Sequence, residues 1–110
     1  MRGRVTQRMR TDCAVVAREG ALASACRGVD ISSTGIVVDR GRPVGERDER
    51  LLVDLEISFP ERLRAVRVVA RPVWSSGTQQ GFRFVRMSDA DRLDVAEHVD
   101  HLDRLHAILH

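Results

Sequence analysis

The chain has 110 residues, 43% of them hydrophobic and 31% charged, proportions that exclude an intrinsically disordered segment and a two-domain enzyme and fit one globular domain. Its apolar runs reach four or five residues, as in Cys13 to Ala17, against the roughly 20 that a bilayer span needs, and the opening Met1-Arg2-Gly3-Arg4 leads into a polar stretch without the apolar region of a secretory signal. The expected setting is the cytoplasm, and a net charge of +2 argues against the broad basic face of a nucleic-acid binder.

Residues 1–11 form an Arg-rich stretch in which only Val5 and Met9 are apolar, the pattern of a flexible arm. Residues 1–28 hold six Arg against Asp12 and Glu19, so the basic end of the chain is where an anionic partner would bind. All 18 basic residues are Arg. Codon bias of a GC-rich genome accounts for that preference, yet each guanidinium also carries a planar fork of donors suited to phosphate oxygens and to the guanine edge. Cys13 to Ala17 begins a strand, and Glu19-Gly20 is the expected turn into a second run, Ala21 to Ile31, a register that sets Cys13 opposite Cys26. Two cysteines are too few for a disulfide scaffold, and both are expected reduced.

Ser32-Ser33-Thr34-Gly35 is a turn signal before the short strand Ile36 to Val38. Residues 39–50 read as a charged loop, after which Leu51, Val53, Leu55 and Ile57 alternate with polar residues as a half-buried strand does. Pro60-Glu61 marks a reversal, Leu63 to Trp74 a long strand with a bulge or edge at Arg64 or Pro72, Ser75 to Gln80 a turn, and Gly81 to Arg86 the closing strand. Six short strands with closely spaced turns predict a six-stranded antiparallel β-barrel over residues 12–87. Ser88 with Asp89 and Asp91 then caps an amphipathic α-helix over 88–110, carrying Val95, Val99, Leu102, Leu105 and Leu109 on its apolar stripe and a local charge of −4 over residues 89–110. The whole chain, 1–110, is read as a single domain, an all-β barrel with a C-terminal helix.

Two clusters carry chemistry. Arg4 and Arg8 form an RxxxR on the arm, and Asp30, Ser32 and Gly35 form a DxSxxG at the end of the second long strand. Arg offers a bidentate fork to O6 and N7 of guanine and a flat face for stacking, Asp accepts from the N1 and N2 donors of the same base, Ser can donate to a phosphate, and Gly permits positive φ or close backbone approach. The same residues have plain structural uses, because Asp and Ser in such turns also bond the nearby backbone.

Taken together with Val73-Trp74, then Gly81-Phe82-Arg83-Phe84 and a terminal helix, these motifs resemble the PilZ family along the entire chain. The resemblance implies a receptor for the bacterial second messenger cyclic di-GMP in which Arg4, Arg8, Asp30, Ser32 and Gly35 bind the ligand and the arm orders over it, changing the surface offered to an effector protein. Arg2-Gly3-Arg4 stands where the family has a doubled Arg, which leaves one or two bound nucleotides open. A ligand-independent adaptor working through the acidic helix is the alternative, and homodimers could form through that helix, where Val95, Leu102 and Leu109 fall seven apart. A nucleic-acid-binding barrel is the third reading, disfavoured by the low net charge. His98 and His101, with Asp94 one turn before, have the spacing of a metal face but lack a fourth ligand, and surface histidines are the commoner pattern. No nucleophile motif, paired carboxylates or phosphate-cradling glycine loop is present, so neither catalytic residues nor a cofactor are expected.

Overall fold

The computed structural model describes residues 8–45 and 51–109. Seven strands and one helix follow in chain order: β1 (Met9–Arg10), β2 (Ala14–Glu19), β3 (Leu22–Ile31), β4 (Gly35–Asp39), β5 (Val53–Ser58), β6 (Val66–Ser76), β7 (Gln79–Arg86) and α1 (Asp89–Leu109). All pairings are antiparallel, in the order β1-β3-β2-β5-β6-β7-β4, and β3 also pairs with β4, which closes the last six strands into a barrel. The predicted six-stranded barrel with its terminal helix is therefore the observed architecture. One short strand is added to it: Met9 and Arg10, read from sequence as part of a flexible arm, pair with Ile31 and Asp30 on the outer edge of β3.

Alternation builds the core. Val53, Leu55 and Ile57 on β5 and Val66, Val68 and Ala70 on β6 point inward and are at most 3% exposed, each large aliphatic contributing about 1.5–3 kcal/mol by burial. The β2–β3 and β6–β7 hairpins share one device, a two-residue loop with glycine first: Gly20 has φ 61° and Gly77 φ 60°. The loop is Gly20-Ala21, one residue later than Glu19-Gly20, and this moves the register by two. Val15 faces Cys26, while Cys13 is bonded through its carbonyl to Gly28 N at 2.7 Å. The cysteines are not cross-strand neighbours, and the Cys13 sulfur lies where a side chain at position 28 would go. Likewise β6 and β7 run further into the segment expected as a turn, which shrinks from six residues to Gly77-Thr78.

The helix begins as expected. Ser88 Oγ accepts from Asp91 N at 3.0 Å, the N-cap bond that satisfies one of the first-turn amides. Val95, His98 and Val99 bury against one end of the barrel, and all the buried residues of α1 lie between Asp91 and Val99. Arg62 pairs with Asp94 at 3.4 Å and with Glu97, and Arg64 with Asp91 at 2.8 Å and Asp94 at 2.5 Å, clamping the β5–β6 connection onto the helix. No described helix is long and apolar enough to cross a membrane.

Candidate ligand-binding site

Register sets the site. Directly opposed residues on paired strands share a face of the sheet, and one such row crosses five strands: Arg10, Asp30, Val37, Gly81 and Trp74, on β1, β3, β4, β7 and β6. The adjacent row Ile31, Ile36 and Phe82 belongs to the core, so Asp30, Val37, Gly81 and Trp74 look outward. Bulges flank the row at both ends. The β3–β4 register shifts between Gly28 and Asp30, and the β6–β7 register between Pro72 and Trp74, each inserting an extra residue that re-aims the side chain after it.

A Cβ at Gly81 would collide with the Trp74 indole, so glycine there is what lets the ring lie down across β7. Trp74 is 40% exposed, an aromatic plane offered to solvent instead of to the core. Above Asp30, Arg8 Nη2 stands 3.8 Å from Oδ2, a loose and solvent-screened ion pair that a ligand can displace at little cost. Arg8, Asp30, Ser32, Val37, Trp74 and Arg83 are among the residues that surround a shallow cavity of about 300 Å³, at the small end for ligand sites.

The DxSxxG motif divides between site and scaffold. Ser32 is buried, and its Oγ accepts from Thr34 N and Gly35 N, both at 3.2 Å, while its own N donates to Gly35 O at 2.9 Å. The hydroxyl builds the β3–β4 turn at the cavity margin. Gly35 does not have positive φ; its glycine is required because a Cβ would strike the Phe82 carbonyl oxygen of β7. The close approach expected at Gly35 is thus to the barrel's own backbone. Of the three, Asp30 alone presents a charged group over the cavity, loosely paired with Arg8. Arg4 lies outside the described residues.

The sequence carries Trp74 only as the end of a strand and within the Val73-Trp74 part of the resemblance, and Val37, Gly81 and Arg83 are not among the expected site residues. The signal was present in the pairing: an aromatic residue opposite a glycine on the neighbouring strand marks a ring lying over that glycine.

The histidine face is a different thing from what its spacing suggests. His98 is buried, not superficial; its ring stacks on Phe59 at 3.9 Å and 14°, and its two nitrogens meet Thr11 Oγ1 at 2.9 Å and Glu61 Oε2 at 2.6 Å. Asp94 is taken by Arg62 and Arg64. Among the described residues no group of His, Cys, Asp and Glu converges on a metal position. Burial pushes the thiols of Cys13 and Cys26 up, so both are held as poor nucleophiles.

The sequence matches no family model and no curated protein. Solved structures do match. The Bacillus subtilis inhibitor of motility MotI/DgrA superposes with a TM-score of 0.74 at 15% identity, over 89% of this chain and 50% of that one; this chain spans about half the length of that protein. The PilZ domain of CeSA from a cellulose-synthesizing bacterium superposes with a TM-score of 0.65 at 14% identity, over 88% of this chain and 98% of that domain. At such identities the likeness is one of backbone architecture, and by it the chain has the fold of a PilZ domain.

Proposed function

We propose that this protein is a receptor for cyclic di-GMP, binding it non-covalently on the outer face of β3, β4, β7 and β6. The observation that carries the reading is the convergence of Arg8, Asp30 and Trp74 on one cavity. A guanine needs an acceptor for N1 and N2, donors for O6 and N7, and a flat surface, and these three side chains supply them in that order: carboxylate, guanidinium, indole. The cavity is a floor, too small to enclose a dinucleotide, so the residues before Met9 would close over the ligand. Arg4 joins the site from there by the family resemblance, while Ser32 and Gly35 hold the turn that follows Asp30 at the margin. Ordering of the arm is then the switch that an effector protein reads. The reading requires no catalytic step and no cofactor.

The second half of α1 supports a contact with protein partners, a second copy included. Leu102 still packs half-buried against the core; beyond it the helix is exposed, Leu105, Ile108 and Leu109 included. As a ligand-independent adaptor the protein would work through this end alone. Light scattering of the protein and of Leu105→Glu, Leu109→Glu separates the cases, since a dimer held by this helix becomes monomeric in the variant.

Titration calorimetry with cyclic di-GMP tests the proposal, with cyclic di-AMP as control and Arg8→Ala beside the parent. Expected are saturable binding with preference for guanine, about a tenfold or greater loss in Arg8→Ala, and an unchanged melting temperature in that variant, because Arg8 is exposed. Trp74 is the only tryptophan, so stacking on it also changes the intrinsic emission. No heat and no change in emission at high ligand would overturn the reading.

A further inference from the structure

Among the described residues, charged side chains that face each other across strands are opposite in sign with one departure. Arg18 on β2 faces Asp54 on β5, Glu56 on β5 faces Arg67 on β6 with an ion pair of 3.2 Å, and Arg10 on β1 faces Asp30 on β3. Arg71 on β6, by contrast, faces Arg83 on β7. Both are exposed, and neither has a carboxylate within ion-pair distance among the described residues. Directly opposed like charges disfavour a sheet, so the free protein carries an unfavourable contact here that it avoids elsewhere on the same face.

The surroundings keep those charges uncompensated. The neighbour of Arg83 on its other side is Gly35, which has no side chain and has no room for one. The β5 ladder ends at Val53 opposite Ala70, one residue short of Arg71. Arg83 lines the same cavity as Arg8, and by strand order the two reach it from opposite margins, Arg8 from the β1 side and Arg83 from the β6 side.

We infer that Arg71 and Arg83 form a second anion subsite of this face, taking a phosphate of the bound nucleotide between two guanidinium forks. A phosphodiester supplies the negative charge that the register withholds, and ligand binding removes the repulsion as it forms the contact, so the pair discriminates the bound from the free state. The subsite rests on the cyclic di-GMP reading for the identity of its ligand; its charge logic does not.

The experiment compares the parent with Arg83→Gln, Arg71→Gln and the double variant. Two probes are used, cyclic di-GMP by calorimetry at several salt concentrations and inorganic pyrophosphate by thermal shift. Expected for each single variant is about tenfold weaker cyclic di-GMP binding and a shallower salt slope, the double variant losing about 0.7 for its one phosphate, with a ligand-free melting temperature equal to or above that of the parent. Parent-like affinity and salt slope in the double variant would overturn the subsite while leaving the cyclic di-GMP receptor standing. Pyrophosphate stabilisation that depends on Arg71 and Arg83 in a protein that ignores cyclic di-GMP would keep the subsite and reject that ligand. A parent that responds to neither probe rejects both.

Discussion

His98 shows how a residue read as superficial becomes a joint of the structure. It sits on α1, yet its ring stacks on Phe59 beyond β5, one nitrogen meets Thr11 at the base of the arm, and the other meets Glu61 in the β5–β6 connection. The i,i+3 spacing to His101 was legible, but the burial was not, because a histidine stripe and an apolar stripe have the same helical period. For Glu61, desolvation raises the carboxyl, but the hydrogen bond with His98, the local backbone and the charges of His98 and His101 together outweigh it and hold the group below its ordinary 4.5. A carboxyl with a folded value below its unfolded one stabilises the fold above the unfolded value and loses that contribution as pH falls through the folded one. Water reaches this carboxylate, so the effect stays within about 1 kcal/mol. Glu61→Gln should therefore melt lower than the parent at neutral pH, with the gap full above pH 4.5 and closing below it. Paired melts taken down to about pH 3 check this, and a gap independent of pH would remove Glu61 from the linkage.

Strands and helix were legible as elements, whereas the register between them was only partly so. Alternation located β5, β6 and the core face of each, and Ser88 with its following acids located the start of α1. Choosing Glu19-Gly20 over Gly20-Ala21 as the hairpin loop then misplaced every β2–β3 pair by two residues, because a shift of two keeps each side chain on its face and so leaves the hydrophobic pattern satisfied either way. What decides it is packing: Gly28 lies under Cys13, where no other residue fits. Gly28→Ala brings its Cβ into the Cys13 sulfur and should cost about 1–3 kcal/mol by overpacking. Adding Cys13→Ala removes the obstructing atom, so the double variant should recover part of the loss, with a coupling of about 0.5–3 kcal/mol. Urea melts of the four proteins read that coupling; strictly additive effects would contradict the observed β2–β3 register. Of the two bulges that aim the ends of the site, the one at Pro72–Trp74 is marked in the sequence by Pro72, whereas the one at Gly28–Asp30 leaves no mark in the alternation, and Asp30 is legible only through its motif.

At the scale of the molecule, charge segregates more sharply than the chain's small net value suggests. Three of the six acids of α1 are spent internally, since Asp91, Asp94 and Glu97 are engaged by Arg62 and Arg64 at the helix end of the barrel. The cavity face is richer in cations: Arg8 and Arg83 line the cavity, Arg10 and Arg71 stand beside them by register, and Asp30 is the one acid lining it among the described residues. Counting charges along the sequence places the basic end at residues 1–28 and misses the arginines that closure of the barrel brings around from β6 and β7. A compact cluster of this kind fits a ligand with few phosphates better than a polymer, and salt distinguishes the two. A dinucleotide offers two phosphates, so log affinity should fall with log salt at a slope of about −1.4, whereas an oligonucleotide spanning six or more would give about −4 or steeper. Binding also stabilises the fold by mass action, and cyclic di-GMP at about 100 times its dissociation constant should add about 2.7 kcal/mol, a rise on the order of 10 °C for a chain of this length. Measured together, a shallow salt slope and a guanine-dependent thermal shift support the small-ligand receptor; a steep slope with oligonucleotides and no shift with cyclic di-GMP would make this face a nucleic-acid surface.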